Sequence, residues 1–248
     1  MNTTAPVALV TGSTSGIGAA IARRLARDGY SVVLHSRSSV ELGTSMARDL
    51  PGASYLQADL AHEEARERLV RQVLQERGQL DVLVNNAGIS QVIPHGDLLA
   101  ATPEVWRELH EVNVVAPFRL IAHAQKALIA SAELRGKPAC VVNVSSHAGV
   151  RPKGASIPYA ASKAALNHMT RLLALNLAPA IRVNAVAPGL VDTPLTQGWT
   201  AAQALWSEKS PMRRAAQPED IAQVVAMLVA SDYLTGEVVL SDGGLNLT

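Results

Sequence analysis

The stretch YAASK, Tyr159 to Lys163, sets a phenol and an ammonium four residues apart. On a helix that spacing puts both groups on one face, about one turn from each other. A phenol has an ordinary pKa of about 10, too high for ready proton exchange near neutrality. A neighbouring ammonium favours the phenolate and brings the value down. The pair could therefore work as an acid and its activator, although the same spacing also suits an ordinary amphipathic helix. What separates the two readings is whether other parts of the chain supply a hydroxyl to polarise a carbonyl oxygen and a cradle for a cofactor.

The elements that would position such groups are legible as a pattern. Apolar, β-rich runs recur at VALV (7–10), SVVLH (31–35), DVLVNN (81–86), CVVNVSS (140–146), IRVNAVAPG (181–189) and EVVLSDGG (237–244), with a shorter SYLQA before Asp59. Between most of them lie helix-length stretches with apolar residues three and four apart, such as Ile17, Ala20, Ile21 and Leu25. Continuous apolar strands fit a parallel sheet covered on both faces. The right-handed crossover rule then predicts an α/β, Rossmann-like doubly wound sheet of about seven strands. No linker or repeat interrupts the pattern, so one domain over residues 1–248 is expected. In such sheets ligands bind beyond the carboxyl ends of the strands. Those ends read TGSTSGIG, HSRSS, ADL, NNAG, SSHAG and APGLVDT.

Composition narrows the function classes. The chain has 248 residues, 48% of them hydrophobic, enough for a substantial core without disulfides or metals. A formal net charge of +1 gives no electrostatic footprint for nucleic acid or an anionic membrane. The lone Cys140 reads as a core residue in a strand. His35, His62, His95, His110, His123, His147 and His168 are dispersed without metal-ligand spacing, and only His147, beside Ser146, is placed to face a substrate. MNTTAPVALV lacks the features of a signal peptide, and no run approaches a membrane span. A cytoplasmic enzyme acting on a small molecule is the expectation.

The first strand end carries glycines at 12, 16 and 18, which suit close backbone approach to a pyrophosphate at a helix N-terminus, or a plain tight turn. The second, His35-Ser36-Arg37-Ser38, lacks the carboxylate that would favour NAD. Arg37 can fork onto a phosphate and Ser38 can donate a further hydrogen bond, so NADP(H) is preferred and NAD(H) is the alternative. Asp59 is placed to accept from an adenine amino group.

Taken together, TGSTSGIG, Asp59, NNAG (85–88), Asn113, Ser146, YAASK and the PG at 188–189 resemble the short-chain dehydrogenase/reductase family in its compact form. The likeness spans essentially the whole chain and is similar to the 3-oxoacyl-[acyl-carrier-protein] reductases. It implies Tyr159 as general acid/base, with Lys163 activating it and holding the nicotinamide ribose. It implies Ser146, thirteen residues before the tyrosine, as the carbonyl-polarising hydroxyl, with Ser145 a backbone-contacting neighbour. Asn113 then holds a water that leads protons from the lysine. The implied cofactor contacts are Gly12, Ser15, Gly16, Ile17, Gly18, Arg37, Ser38, Asp59, Leu60, Asn86, Ala87, Gly88, Tyr159, Lys163, Pro188, Gly189, Val191 and Thr193. Ser15 stands where many NADP-using relatives carry a basic residue. The family also suggests a homodimer or homotetramer joined through helices that include 103–130 and 156–177.

The resulting expectation is reduction of a ketone or aldehyde, with 3-oxoacyl thioesters as the broadest substrate class and small carbonyls or pterins beside them. An epimerase or dehydratase would usually add a C-terminal substrate domain, for which SDGGLNLT leaves no room. A non-catalytic NAD(P)-binding sensor would be favoured by loss of Tyr159 or Lys163, and both are present. Substrate choice should lie in segments 90–98, 147–157 and 195–209. A lid is expected at about 190–212, with Trp199 and Trp206 on one face, closing over the substrate or packing on the body. Arg151 and Lys153 could meet an anionic substrate or an acidic carrier at the pocket mouth.

Overall fold

A computed structural model describes residues 5–248. Its strands are β1 Val7–Val10, β2 Ser31–Ser36, β3 Ser54–Gln57, β4 Val82–Asn85, β5 Ala139–Val144, β6 Ile181–Pro188 and β7 Val238–Ser241. They alternate with helices α1 Gly16–Arg27, α2 Val40–Asp49, α3 Glu63–Arg77, α4 Pro103–His110, α5 Ala116–Arg135, α6 Ile157–Leu177, α7 Thr200–Lys209 and α8 Pro218–Ala230. The sheet order is β3-β2-β1-β4-β5-β6-β7 and every pairing is parallel, so the doubly wound expectation holds. Strand order reverses around β1, which opens the ligand crevice beyond the ends of β1 and β4.

Both faces of the sheet are buried, and alternation along each strand divides the apolar side chains between them. Leu9, Leu83, Val141 and Val183 join Leu69, Val73, Leu120 and Leu128 in one core. Ala8, Val10, Val84 and Val142 join Ile21, Leu25, Ile221, Val225 and Leu228 in the other. Several strands stop a residue or two before the apolar runs do. Asn86, Ser145, Ser146 and Gly189 all lie past their strands, where the backbone turns to meet neighbouring loops. The helix anticipated across 103–130 is interrupted by a π-helical turn, Glu111–Val115, which contains Asn113. Among the described residues no helix is long and apolar enough to cross a membrane.

At the opposite, amino-terminal edge of the sheet, Asp81 is the polar anchor. Its Oδ2 accepts from the Val7 N–H at 2.7 Å, and its Oδ1 accepts from Ser131 Oγ at 2.6 Å and Arg135 Nε at 2.9 Å. One carboxylate thus joins β1, the entry to β4 and the end of α5. Asp81→Ala should leave a half-buried guanidinium and a buried backbone N–H without this acceptor, lowering stability by about 2–4 kcal/mol in urea denaturation.

Candidate active site

The glycine-rich loop after β1 owes its shape to contacts that the sequence did not advertise. Gly12 and Gly16 have φ of 61° and 50°, a region that disfavours side chains. A Cβ on Gly18 would fall 2.2 Å from Gly12 O and 2.4 Å from Asn86 Nδ2, so helix α1 can start only with a bare backbone there. Asn86 Nδ2 donates to the carbonyls of Thr11 and Gly12, both at 2.9 Å. Thr11 Oγ1 accepts from the N–H groups of Asn86 and Ala87, each at 3.0 Å. The loop is therefore laced to the end of β4.

His35 braces the same loop from the other side. It is buried at the end of β2, its Nδ1 accepting from Gly12 N–H at 3.1 Å and its Nε2–H donating to Ala58 O at 3.0 Å. Burial pushes its pKa down to about 4, against a weaker upward pull from the Ala58 bond and Asp59, so the ring is neutral with the proton on Nε2. Sequence reading had treated this histidine as bland. Its placement at a strand end two positions before Arg37 was the available signal.

Around this cradle the proposed cofactor contacts take distinct positions. The Ser15 side chain makes no capping bond to helix α1, leaving the first N–H groups of that helix for a ligand. Thr193 stands across from Gly16, where a Cβ would come within 3.2 Å of its Cγ2. Ile17, Pro188, Gly189, Val191 and Thr193 line one cavity together with Ser146 and Tyr159. Ala87 lies against Gly12. Arg37 and Ser38 are exposed beyond β2, and the Arg37 guanidinium has no hydrogen-bond or ion-pair partner among the described residues. Asp59 Oδ1 accepts from Ala61 N–H at 3.0 Å. Leu60 buries its side chain in the core and gives its carbonyl to Arg66 Nε, so only its backbone N–H remains for a ligand. A groove with three obligatory glycines, an uncapped helix N-terminus and a partnerless arginine at its ribose end fits a dinucleotide. Gly12, Gly16, Gly18, Asn86, Ala87 and Thr193 would border its phosphates and nicotinamide.

The end of β5 and helix α6 bring the expected catalytic residues together. Ser156 caps α6, its Oγ accepting from Tyr159 N–H at 3.3 Å. Lys163 is buried, with Nζ donating to Val144 O at 3.0 Å and lying 5.9 Å from the Tyr159 ring centroid. Desolvation brings the Lys163 pKa down to about 8. Ser146 Oγ accepts from Ala148 N–H at 3.1 Å, while Ser145 Oγ donates to Lys163 O at 3.3 Å, the backbone contact expected of it. The Tyr159 pKa departs from expectation. Burial raises it, and a hydrogen bond with Ser146 opposes the rise. Burial sets the direction, outweighing any lowering by the Lys163 ammonium.

Asn113 is wholly buried, and the π-turn aims its amide at the loop after β4. Its Oδ1 accepts from Ile89 N–H at 2.9 Å, and its Nδ2 donates to Ile89 O at 3.0 Å and Ser162 Oγ at 3.1 Å. Gly88 makes room, because a Cβ there would come within 3.1 Å of Asn113 Oδ1 and 3.4 Å of Lys163 Nζ. Gly149, not singled out from sequence, is equally constrained, since its Cβ would fall 2.7 Å from the Lys163 carbonyl carbon.

The cavity over these groups has a volume of about 680 Å³ and a largely apolar lining, including Val92, Ile93, Leu195, Leu205 and both Trp199 and Trp206. Lys153 lies on its wall, whereas Arg151 turns away, with Nη2 donating to Asn246 O at 3.1 Å. His95 closes one side through a 3.0 Å hydrogen bond between its Nε2 and Gly154 O. Among the described residues no cluster of histidine, cysteine or carboxylates could hold a metal ion.

A family model described as enoyl-(acyl carrier protein) reductase matches residues 12–246. The chain is 50% identical over 246 residues to a Streptomyces violaceoruber protein assigned as ketoacyl reductase 2 of the granaticin polyketide synthase, covering 98% of this chain and 97% of that one. The chain belongs to the short-chain dehydrogenase/reductase family. A Burkholderia xenovorans structure assigned to the same family superposes with a TM-score of 0.92 at 35% identity, covering all of both chains. The NADP complex of Pseudomonas aeruginosa RhlG gives 0.88 at 33% identity, covering 97% of this chain and 96% of that one. Membership makes the protein an oxidoreductase of the nicotinamide-dependent type.

His35 gives the site a stability signature. Its folded pKa of about 4 lies below the ordinary value of 6.5, so between those values the unfolded chain takes up a proton that the native ring refuses. Stability should be unaffected above pH 6.5 and fall as pH drops toward 4, by about 3 kcal/mol over the full window. His35→Asn keeps an acceptor for the Gly12 N–H but cannot titrate. Urea melts at pH 7.0 and 4.5 should show a smaller loss in that variant than in the native protein.

Proposed function

We propose that the protein is an NADP(H)-dependent reductase of ketones, with 3-oxoacyl thioesters as its substrate class and Tyr159 as the general acid/base. The meeting of Ser146 and Tyr159 on the wall of an apolar cavity, with the Lys163 ammonium buried 5.9 Å from the Tyr159 ring centroid and a groove suited to a dinucleotide alongside, is the observation that carries the reading. When bound, the nicotinamide supplies the hydride. The hydroxyl of Ser146 donates to the carbonyl oxygen, and Tyr159 delivers its proton to that oxygen as negative charge develops there. Burial raises the Tyr159 pKa and holds the phenol protonated, and the proton passes to the substrate oxygen only as the charge developing there makes that oxygen the stronger base. Lys163 holds positive charge nearby and is placed to bind the nicotinamide ribose. The side chain of Asn113 is engaged with Ile89 and Ser162, and its place across Gly88 from Lys163 supports the role of holding a water that leads protons from the lysine.

The thioester assignment is supported by likeness to a protein assigned as a ketoacyl reductase and by the apolar lining, which suits an acyl chain. Preference for NADP(H) rests on the exposed, partnerless Arg37 and on the NADP complex among the structural relatives. Exposed Phe118, Leu172 and Leu175 on α5 and α6 support assembly as a homodimer or homotetramer through that face.

Tyr159→Phe should lower kcat for carbonyl reduction by about 10³-fold while NADPH affinity falls by no more than about tenfold, the share of one hydrogen bond. Turnover by this variant at the native rate would sink the mechanism, and NADPH binding without turnover of any carbonyl in the native protein would favour a sensor. Arg37→Ala should weaken NADPH binding by about tenfold or more in fluorescence titration and leave NADH binding unchanged. For the native enzyme, kcat/KM for reduction should decline as pH rises through about 8, where Lys163 loses its proton.

A further inference from the structure

Three parts of the chain meet at His147. It opens the short turn His147–Gly149 directly after Ser146, is only 5% exposed, and borders the cavity. Its ring packs edge to face against Trp206 of α7, with centroids 5.9 Å apart and planes at 78°. Its Nε2 is sealed from solvent, makes no completed hydrogen bond, and faces Asp242 Oδ2 at 3.4 Å. Asp242 is equally buried and firmly fixed. Its Oδ1 accepts from Gly244 N–H at 3.0 Å and its Oδ2 from Asn246 N–H at 2.7 Å.

Trp206 rests on bare backbone. A Cβ on Gly189 would lie 3.0 Å from the indole Cζ2 and Nε1, and 2.9 Å from the Asp242 Cα. The indole therefore has Gly189 as its floor and His147 as its side. The charged groups facing His147 are Asp242, Arg151 and Lys153. Burial lowers its pKa, Asp242 opposes that and the two cations add to it, which favours the neutral ring; with the proton on Nε2, that N–H stands 3.4 Å from the Asp242 carboxylate oxygen.

We propose that His147, aimed by Asp242, is a positioning residue that seats Trp206 as the far wall of the cavity and so selects the apolar group a substrate carries beyond its carbonyl. The selection rests on the reductase reading above; the tie itself does not. A buried N–H left short of its acceptor is unfavourable, and a small shift of the ring toward Asp242 completes the bond. Trp206 moves with the ring it packs on, so the tie favours α7 closed over the cavity.

The test follows backbone deuterium exchange across 200–209 in the full-length protein, together with steady-state kinetics on ketones bearing small and bulky apolar groups. His147→Gln keeps an N–H near the position of Nε2, whereas His147→Ala removes it. His147→Ala should speed exchange in 200–209 and raise KM for the bulky ketones, each by about tenfold with kcat within about twofold, and His147→Gln should restore both to within about threefold of native. Native exchange in 200–209 of His147→Ala would overturn the tie, as would a loss confined to kcat. Exchange needs no turnover, so it decides the tie even if no carbonyl is reduced, and failure of the reductase reading is seen separately in the native enzyme.

Discussion

The site depends on a buried ammonium reaching a strand end. Lys163 Nζ bonds to the carbonyl of Val144, the last residue of β5, and that reach is possible only if α6 lies almost against the turn that follows the strand. Gly149 permits the approach by lacking a side chain where the Lys163 backbone passes. Ser145 and Asn167 then stitch the two elements together, through Lys163 O and Gly149 O respectively. With the helix held there, Tyr159, one turn earlier, is carried to the wall of the cavity that Ser146 shares. The cost of burying the lysine appears in its own weakened basicity.

The cofactor end solves a different problem. A glycine-rich loop is permissive and would wander if left alone. Here it is pinned from two neighbouring strands, by Asn86 and Thr11 on the β4 side and by His35 on the β2 side. Each brace uses a neutral side chain, so the positive ends of the α1 backbone keep the local field favourable to phosphate. Arg37 remains outside that network, exposed beyond the end of β2.

The fold was legible because continuous apolar strands alternating with amphipathic helices admit few arrangements once crossovers must be right-handed. Tyr159 and Lys163 were legible because helical spacing is a local property. The glycines and the Ser145–Ser146 pair were found by their place after apolar runs, which a parallel sheet gathers at one edge, and the choice of Ser146 came from the family's spacing to the tyrosine. By contrast, nothing in LHEVNVVAP announced a π-turn, since inserting one residue into a helix is decided by the packing of Asn113 against Ile89 and Ser162. The direction of the Tyr159 pKa was likewise out of reach. It reports how much water the cavity removes, which no spacing encodes.

The chain alone thus determined the parallel sheet, the residue types at its carboxyl edge and the family they resemble, because each rests on local periodicity or on order along the chain. Only the tertiary structure decided that His35 is a brace, that Arg151 turns from the cavity while Lys153 lines it, and that His147 stands between Trp206 and Asp242. Those roles join residues 23 to 95 positions apart. Their partners are chosen by which strand ends and loops the fold sets side by side, and distance along the chain carries no record of that.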